Sequence, residues 1–255
     1  MAFGDRILRR GTQGDDVVEL QICLAGFRGT IWDGDFGPGT ELQVVTFQRD
    51  YMGMTEPDGI VGSGTFNAID RFANEYTIDF DKLKCPCGKC DGFGKGRYKD
   101  EYREGFPEVE RYYKSEYPCI HRAILHSFRS AQLYAKLEGF PAPFISSGYR
   151  CWTNNLNRGR TSTNHMGKAI DFDFPLQDGE DKRDDSNRCD RFRGILTEKC
   201  NFQIGWGANN RKALEPSTIA PTWIHADMRC YNRKFLDDSY FVKSLDELDS
   251  KNLLV

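Results

Sequence analysis

The sequence predicts two domains: an all-α three-helix bundle, then an α+β domain with a small antiparallel sheet. Three observations carry this. A near-repeat of Asp-Gly turns, each followed by apolar residues at helical spacing, occupies the first 72 residues. One long helical stretch comes later in the chain. After it, short runs of two-residue alternation replace the helical spacing. Helices followed by strands, rather than alternating with them, argue for an α+β domain.

The first helix is expected over Asp15–Ala25, with Val17, Leu20 and Leu24 on one face. "DGDFGPGT" (Asp33 to Thr40) and "DGIVGSGT" (Asp58 to Thr65) are offset by 25 residues. Thr40 and Thr65 are expected as N-caps, since a hydroxyl can accept an orphan backbone N–H. The segments behind them, Glu41–Met52 and Phe66–Tyr76, carry helical apolar spacing. This sets a first domain at 1–72. Residues 73–84 are polar and less patterned and read as a linker, leaving 85–255 as the second domain. There a helix is expected from Pro118 to Glu138, closed by Gly139 and Pro141. "FISSGYRCW", "AIDFDF" and "PTWIHADMRC" read as strands. The charge-rich stretch Asp178–Gly194 reads as a solvated loop.

The bulk numbers exclude several classes of function. The chain has 255 residues, 39% hydrophobic and 29% charged, and a net charge of −3. That composition suits a globular protein and gives no electrostatic case for binding nucleic acid or an anionic membrane. No apolar run approaches the roughly 18 residues of a membrane span. The N-terminus lacks the apolar core of a signal peptide, so synthesis without Sec export is expected. Nine cysteines, an odd number spread along the chain, favour reduced thiols or a thiolate metal site over a disulfide framework. A monomer is expected.

The chemistry concentrates in the strand-like runs. In AIDFDF, Ile170, Phe172 and Phe174 point one way, and Asp171 and Asp173 the other. In TWIHADM, Trp223, His225 and Asp227 share a face opposite Ile224, Ala226 and Met228. One reading is an acidic, merely solvated face. The other makes the two strands neighbours, so that His165, Asp171 and His225 meet. Two imidazoles and a carboxylate with one open position suit catalytic zinc, which acidifies water and polarises a carbonyl. A further carboxylate would move the proton: Asp227 first, then Glu215, then Asp173. Asp227 could instead orient a ligand. His121 and His126 are five apart on the expected helix, do not share a face, and read as structural. "CPCGKC" places Cys85, Cys87 and Cys90 at the spacing of a thiolate knuckle for a structural metal. A fourth ligand could come from Cys119, Cys151, Cys189, Cys200 or Cys230, and a packing role is the alternative. Cys23 reads as a core residue.

Residues 8 to 72 resemble the peptidoglycan-binding domain of bacterial and phage wall hydrolases. Leu8, Gly11, Gly14, Val17, Leu20-Gln21, Leu24, Asp33-Gly34, Phe36-Gly37, Thr40, Val44, Phe47-Gln48, Asp58-Gly59, Val61-Gly62 and Thr65 carry that resemblance. It implies peptidoglycan as partner. "SSGYRC", "STNHMGKAID" and "WIHADMR" resemble the zinc D-Ala-D-Ala carboxypeptidase and L-Ala-D-Glu endopeptidase family, which shares its fold with hedgehog signalling domains and vancomycin-resistance dipeptidases. The resemblance implies zinc held by His165, Asp171 and His225, with Arg150 holding a substrate carboxylate or carbonyl oxygen.

Two departures stand out. The histidine lies six rather than seven residues before the aspartate, with Asn164 in the family register, which keeps Asp173 open as a ligand. Thr222 stands where many relatives carry an acid, so the base is left to Asp227 or Glu215. The tandem arrangement resembles modular phage endolysins, which are stored in the host cytoplasm and act on the periplasmic wall. That lytic role points to the L-Ala-D-Glu bond. The alternatives are a D-Ala-D-Ala carboxypeptidase and a non-catalytic wall-binding protein with a degenerate zinc site. A glycosidase with paired carboxylates has no motif here.

Overall fold

The computed structural model describes residues 3–29, 32–88, 92, 120–150, 154, 167–207 and 210–228. The chain divides into two compact units. One comprises Met1–Ile78, Leu125–Ala142 and Gly194–Asn201; the other comprises Asp79–Ile124, Pro143–Arg193 and Phe202–Val255.

In the first unit the three expected helices are α1 (Asp15–Cys23), α2 (Pro38–Asp50) and α3 (Ser63–Glu75). Asp15 and Asp16 stand in the first turn of α1, where carboxylates suit the helix dipole, and Pro38 opens α2. Leu8, Val17, Leu20, Leu24, Phe36, Val44, Phe47, Val61, Ala68 and Phe72 are buried. Phe27 sits at the centre of this core, its ring centroid 5.2 Å from Phe47, 5.5 Å from Phe72 and 6.1 Å from Tyr134. Tyr134 belongs to α5 (Arg122–Leu137), and its hydroxyl donates to Asp50 at 2.8 Å. At Gly26 a β-carbon would lie 2.1 Å from the Ser130 hydroxyl, so only glycine permits that approach.

The two Asp-Gly turns are held by one device used twice. Gln21 Nε2 donates to Asp33 Oδ1 (2.8 Å), Thr40 Oγ1 (2.9 Å) and the Asp35 carbonyl (3.1 Å), and Gln21 Oε1 accepts from Gly34 N–H (2.9 Å). Gln48 repeats this on Asp58 (2.7 Å), Thr65 (3.5 Å), the Ile60 carbonyl (3.0 Å) and Gly59 N–H (2.9 Å). Gly34 and Gly59 have φ of 79° and 70°, which other residues rarely adopt. The expected capping by Thr40 and Thr65 is corrected. The N-caps are Gly37 and Gly62, and both threonines lie inside their helices. Their hydroxyls donate backwards to the carbonyls of Asp35 and Ile60, because the glutamine amide occupies the acceptor side.

The second unit holds α4 (Phe80–Leu83), in the stretch expected as linker, and β1 (Phe144–Ser147), β2 (Ala169–Asp173), β3 (Gln203–Ile204), β4 (Ala213–Leu214) and β5 (Ile224–Asp227). The sheet order is β1-β2-β5-β4-β3. The expected antiparallel sheet is mixed instead. β1, β2, β5 and β4 pair antiparallel in turn, but β3 runs parallel to β4. Gly205, at φ 94°, follows β3, which is only two residues long. The start of the expected helix at Pro118 lies outside the described residues. α5 begins at Arg122, and Gly139, at φ 72°, follows its last turn.

The largest correction concerns Asp178–Gly194. Most of it is helical: α6 runs Lys182–Cys200. Asp181 caps it, accepting from Arg183 N–H (2.7 Å) and Asp184 N–H (3.1 Å). Cys189, Phe192, Leu196 and Cys200 recur at helical spacing and are buried, a stripe masked by the charges between them. Phe192 packs edge-on against Phe172 (6.3 Å) and Phe174 (5.0 Å) of the β2 run.

Replacing Gln48 by Ala removes an amide bonded to both sides of the second turn and leaves the buried Gly59 N–H without its acceptor. The expected loss is about 2–4 kcal/mol, read from the urea midpoint by circular dichroism. Arg6 holds buried Asp16 through two bonds, at 2.7 and 2.9 Å, and keeps its carboxyl below the usual range. The stability from that pair is present above the ordinary carboxylate pKa and is lost as pH falls through the lower folded value. Arg6→Gln should therefore begin acid unfolding at a higher pH than the parent, by the same measurement.

Candidate metal centre

The site begins with strand register. β2 and β5 pair so that Asp171 lies opposite His225, with Ala169 opposite Asp227. Asp171 Oδ1 is 2.7 Å from His225 Nδ1. The His225 side chain is 5% exposed, and the Asp171 side chain 13%. Arg150 completes this line. Its Nη2 donates to Ser147 Oγ at 2.9 Å and lies 3.9 Å from Asp171 Oδ2. Asp171 thus turns one oxygen to an imidazole and the other to a guanidinium. Arg150 is delivered by a close crossing, since a β-carbon on Gly148 would lie 2.7 Å from Leu83 Cα.

Two further carboxylates border His225. The Glu215 N–H, just beyond β4, donates to the His225 carbonyl at 3.2 Å. Burial raises the Glu215 carboxyl above its ordinary pKa; His225 opposes this, and Asp171 and Asp227 add to it. Asp227 is fully buried. Burial alone would lower the His225 pKa, but the bond to Asp171 and the charges of Asp171, Glu215 and Asp227 outweigh it and push it up to about 9. His225 Nε2 is buried without a hydrogen-bond partner among the described residues. The imidazole also meets Trp206 edge-on, with ring centroids 5.5 Å apart. On the Nδ1 side of the ring an imidazole nitrogen and an Asp171 carboxylate oxygen face one another, a donor pair that fits a divalent cation.

The structure thus brings Asp171, His225 and Arg150 together and sets Glu215 and Asp227 beside them. His165, the third expected ligand, lies outside the described residues, as do Asn164 and Cys90. Cys85 is buried, Cys87 is half-buried, and Cys85 N–H donates to the Gly92 carbonyl at 2.6 Å. His121 is buried at the start of α5, where its Nδ1 accepts from Ala123 N–H at 3.2 Å, a structural role. Burial holds its pKa well below the usual histidine value.

Sequence reasoning missed two features. Arg193 is 1% exposed, and its guanidinium donates to the Glu215 carbonyl (3.0 Å), the Trp223 carbonyl (2.5 Å), the Ala220 carbonyl and Asp190 (2.9 Å). It ties the segment between β4 and β5 to α6. The only signal was the position of Arg193 beside the apolar Phe192 in a run otherwise read as charged loop. The second is a group formed by Asp173, Asp185 and Cys189, whose ligand atoms all lie within 4.8 Å of one another and could hold a metal. Burial raises both carboxyls and pushes the Cys189 thiol up to about 12.

Replacing Arg193 with Met strands the three carbonyls. It should cost on the order of 3–5 kcal/mol and red-shift tryptophan emission as the Trp223 segment loosens, both read in one urea titration.

Comparison with known proteins supports the first unit. Residues 13–69 match the family described as "Putative peptidoglycan binding domain". The spore cortex-lytic enzyme of Bacillus subtilis is 39% identical over 83 residues, which is 31% of this chain and 27% of that protein. The zinc D-Ala-D-Ala carboxypeptidase of Streptomyces albus G is 46% identical over 93 residues, 35% of this chain and 36% of that protein. The crystal structure of the SleB N-terminal domain is 36% identical; the match covers 28% of this chain and 96% of that one, with a TM-score of 0.25. The N-terminal segment is a peptidoglycan-binding domain homologous to parts of wall hydrolases. The chain spans 27% and 36% of the two curated relatives' lengths.

Proposed function

We propose that this chain is a peptidoglycan hydrolase that holds the wall with its N-terminal domain and cuts the stem peptide with its second unit. The observation that carries the catalytic part is the buried Asp171–His225 pair, 2.7 Å apart and flanked by Arg150 and Glu215. The family match over residues 13–69 supports peptidoglycan as partner. Similarity to the zinc D-Ala-D-Ala carboxypeptidase of Streptomyces supports zinc as the metal.

His165, Asp171 and His225 would hold the ion, which when bound supplies Lewis acidity toward water and a peptide carbonyl. Arg150, anchored on Ser147, presents a planar guanidinium to a substrate carboxylate or carbonyl oxygen. Glu215 is the better base than Asp227. It is half-exposed and its carboxyl is raised, whereas Asp227 is fully buried and suits an orienting role. Glu215 takes one proton from water and gives it to the leaving amine, while the remaining hydroxyl bonds to the carbonyl carbon. The bond proposed is L-Ala-D-Glu, and the setting is phage-directed lysis from the host cytoplasm. The alternative is removal of a terminal D-Ala, the activity in the name of the Streptomyces relative.

Digestion of purified Gram-negative peptidoglycan, with and without a zinc chelator, tests this by mass spectrometry. Chelator-sensitive fragments ending in L-Ala are expected. Loss of single D-Ala residues would move the reading to a carboxypeptidase, and an unchanged digest beside intact wall binding would end the hydrolase reading. Glu215→Gln should lower turnover by about 10²–10⁴-fold while wall pull-down stays at the parent level.

A further inference from the structure

Away from the Asp171–His225 pair, β2 and α6 bring a second set of donors together. Asp173 ends β2, and Asp185 and Cys189 stand four residues apart on α6, which puts them on one helix face. Each offers one ligand atom, and all lie within 4.8 Å of one another. Asp185 is 6% exposed and Cys189 fully buried. Asp185 Oδ1 is buried and has no hydrogen-bond partner among the described residues. Arg188 Nη1 lies 3.7 Å from that oxygen, beyond hydrogen-bond reach, and the same guanidinium is engaged by Glu180. Asp173 Oδ1 accepts from Phe174 N–H at 2.7 Å and lies 4.0 Å from Cys189 Sγ.

Two carboxyls drawn this close in a buried place are held by a proton shared between them or by a cation that takes its place. The sulfur narrows the choice of ion. Oxygen donors alone suit magnesium or calcium, while a thiolate beside carboxylates suits a borderline ion such as zinc.

We propose that Asp173, Asp185 and Cys189 bind a divalent ion of the zinc class, distinct from the ion expected at Asp171 and His225. Binding forms the metal–sulfur bond and releases the thiol proton to solvent. The ion would clip the end of β2 to α6. It does not depend on the peptidase reading.

The test uses the full chain, stripped by chelator and titrated with cobalt(II). A thiolate-to-cobalt charge-transfer band in the near ultraviolet is expected. Cys189→Ser should abolish the part of the band that depends on this residue, and Asp185→Asn should weaken cobalt binding by about 10–100-fold. The double variant Cys85→Ser/Cys87→Ser and the variant His225→Ala should both keep that part of the band. If Cys189→Ser does not fold, the near-isosteric Asp185→Asn, checked by circular dichroism, carries the test alone. Titration of Cys189→Ser or Asp185→Asn indistinguishable from the parent would overturn the proposal. So would loss of all thiolate absorbance in the Cys85/Cys87 variant.

Discussion

The register of β2 against β5 is the constraint on which the second unit turns. Side chains alternate along a strand, so a slip of one residue would exchange Asp171 for Ile170 or Phe172 opposite His225. Such a slip would also turn Ile170 and Phe172 out of the core, where both are buried. The apolar residues of AIDFDF therefore hold the polar ones in place. The same alignment sets fully buried Asp227 between Ala169 and Ala213, whose small side chains leave it room. Hydrophobic burial positions a carboxylate–imidazole pair that would be costly to bury alone.

The first unit solves a different problem. Two turns need glycine at positive φ, and such turns are soft unless their amides are satisfied. Gln21 and Gln48 each reach from a helix into the turn that follows and bind its aspartate, its glycine amide and the threonine of the next helix. The near-repeat in sequence is thus a repeat of one hydrogen-bond pattern, which fixes how each helix enters the bundle.

Much of this can be read from sequence. The three N-terminal helices follow from apolar spacing, and the strand faces of AIDFDF and TWIHAD follow from alternation, including the meeting of Asp171 and His225. What could not be read has physical causes. Thr40 and Thr65 look like caps until the glutamine that claims their acceptor side is in view, and that partner lies 17 or 19 residues away. α6 was hidden because Asp184, Asp185, Arg188 and Arg193 break up its apolar stripe, and several of those charges are themselves buried. The parallel pairing of β3 rests on two residues on each side, too few to show a pattern. Glu215 ranks behind Asp227 as a candidate base in the sequence, since strand pairing and not sequence distance brings it beside His225.

Arg193 grips the segment from Glu215 to Trp223 by its carbonyl oxygens, not by its side chains. Every residue type supplies the same carbonyl. The course of that segment is therefore decoupled from its composition. Exposed positions such as Ile219 can change identity over evolutionary time, or in a designed library, while the backbone beside His225 keeps its path.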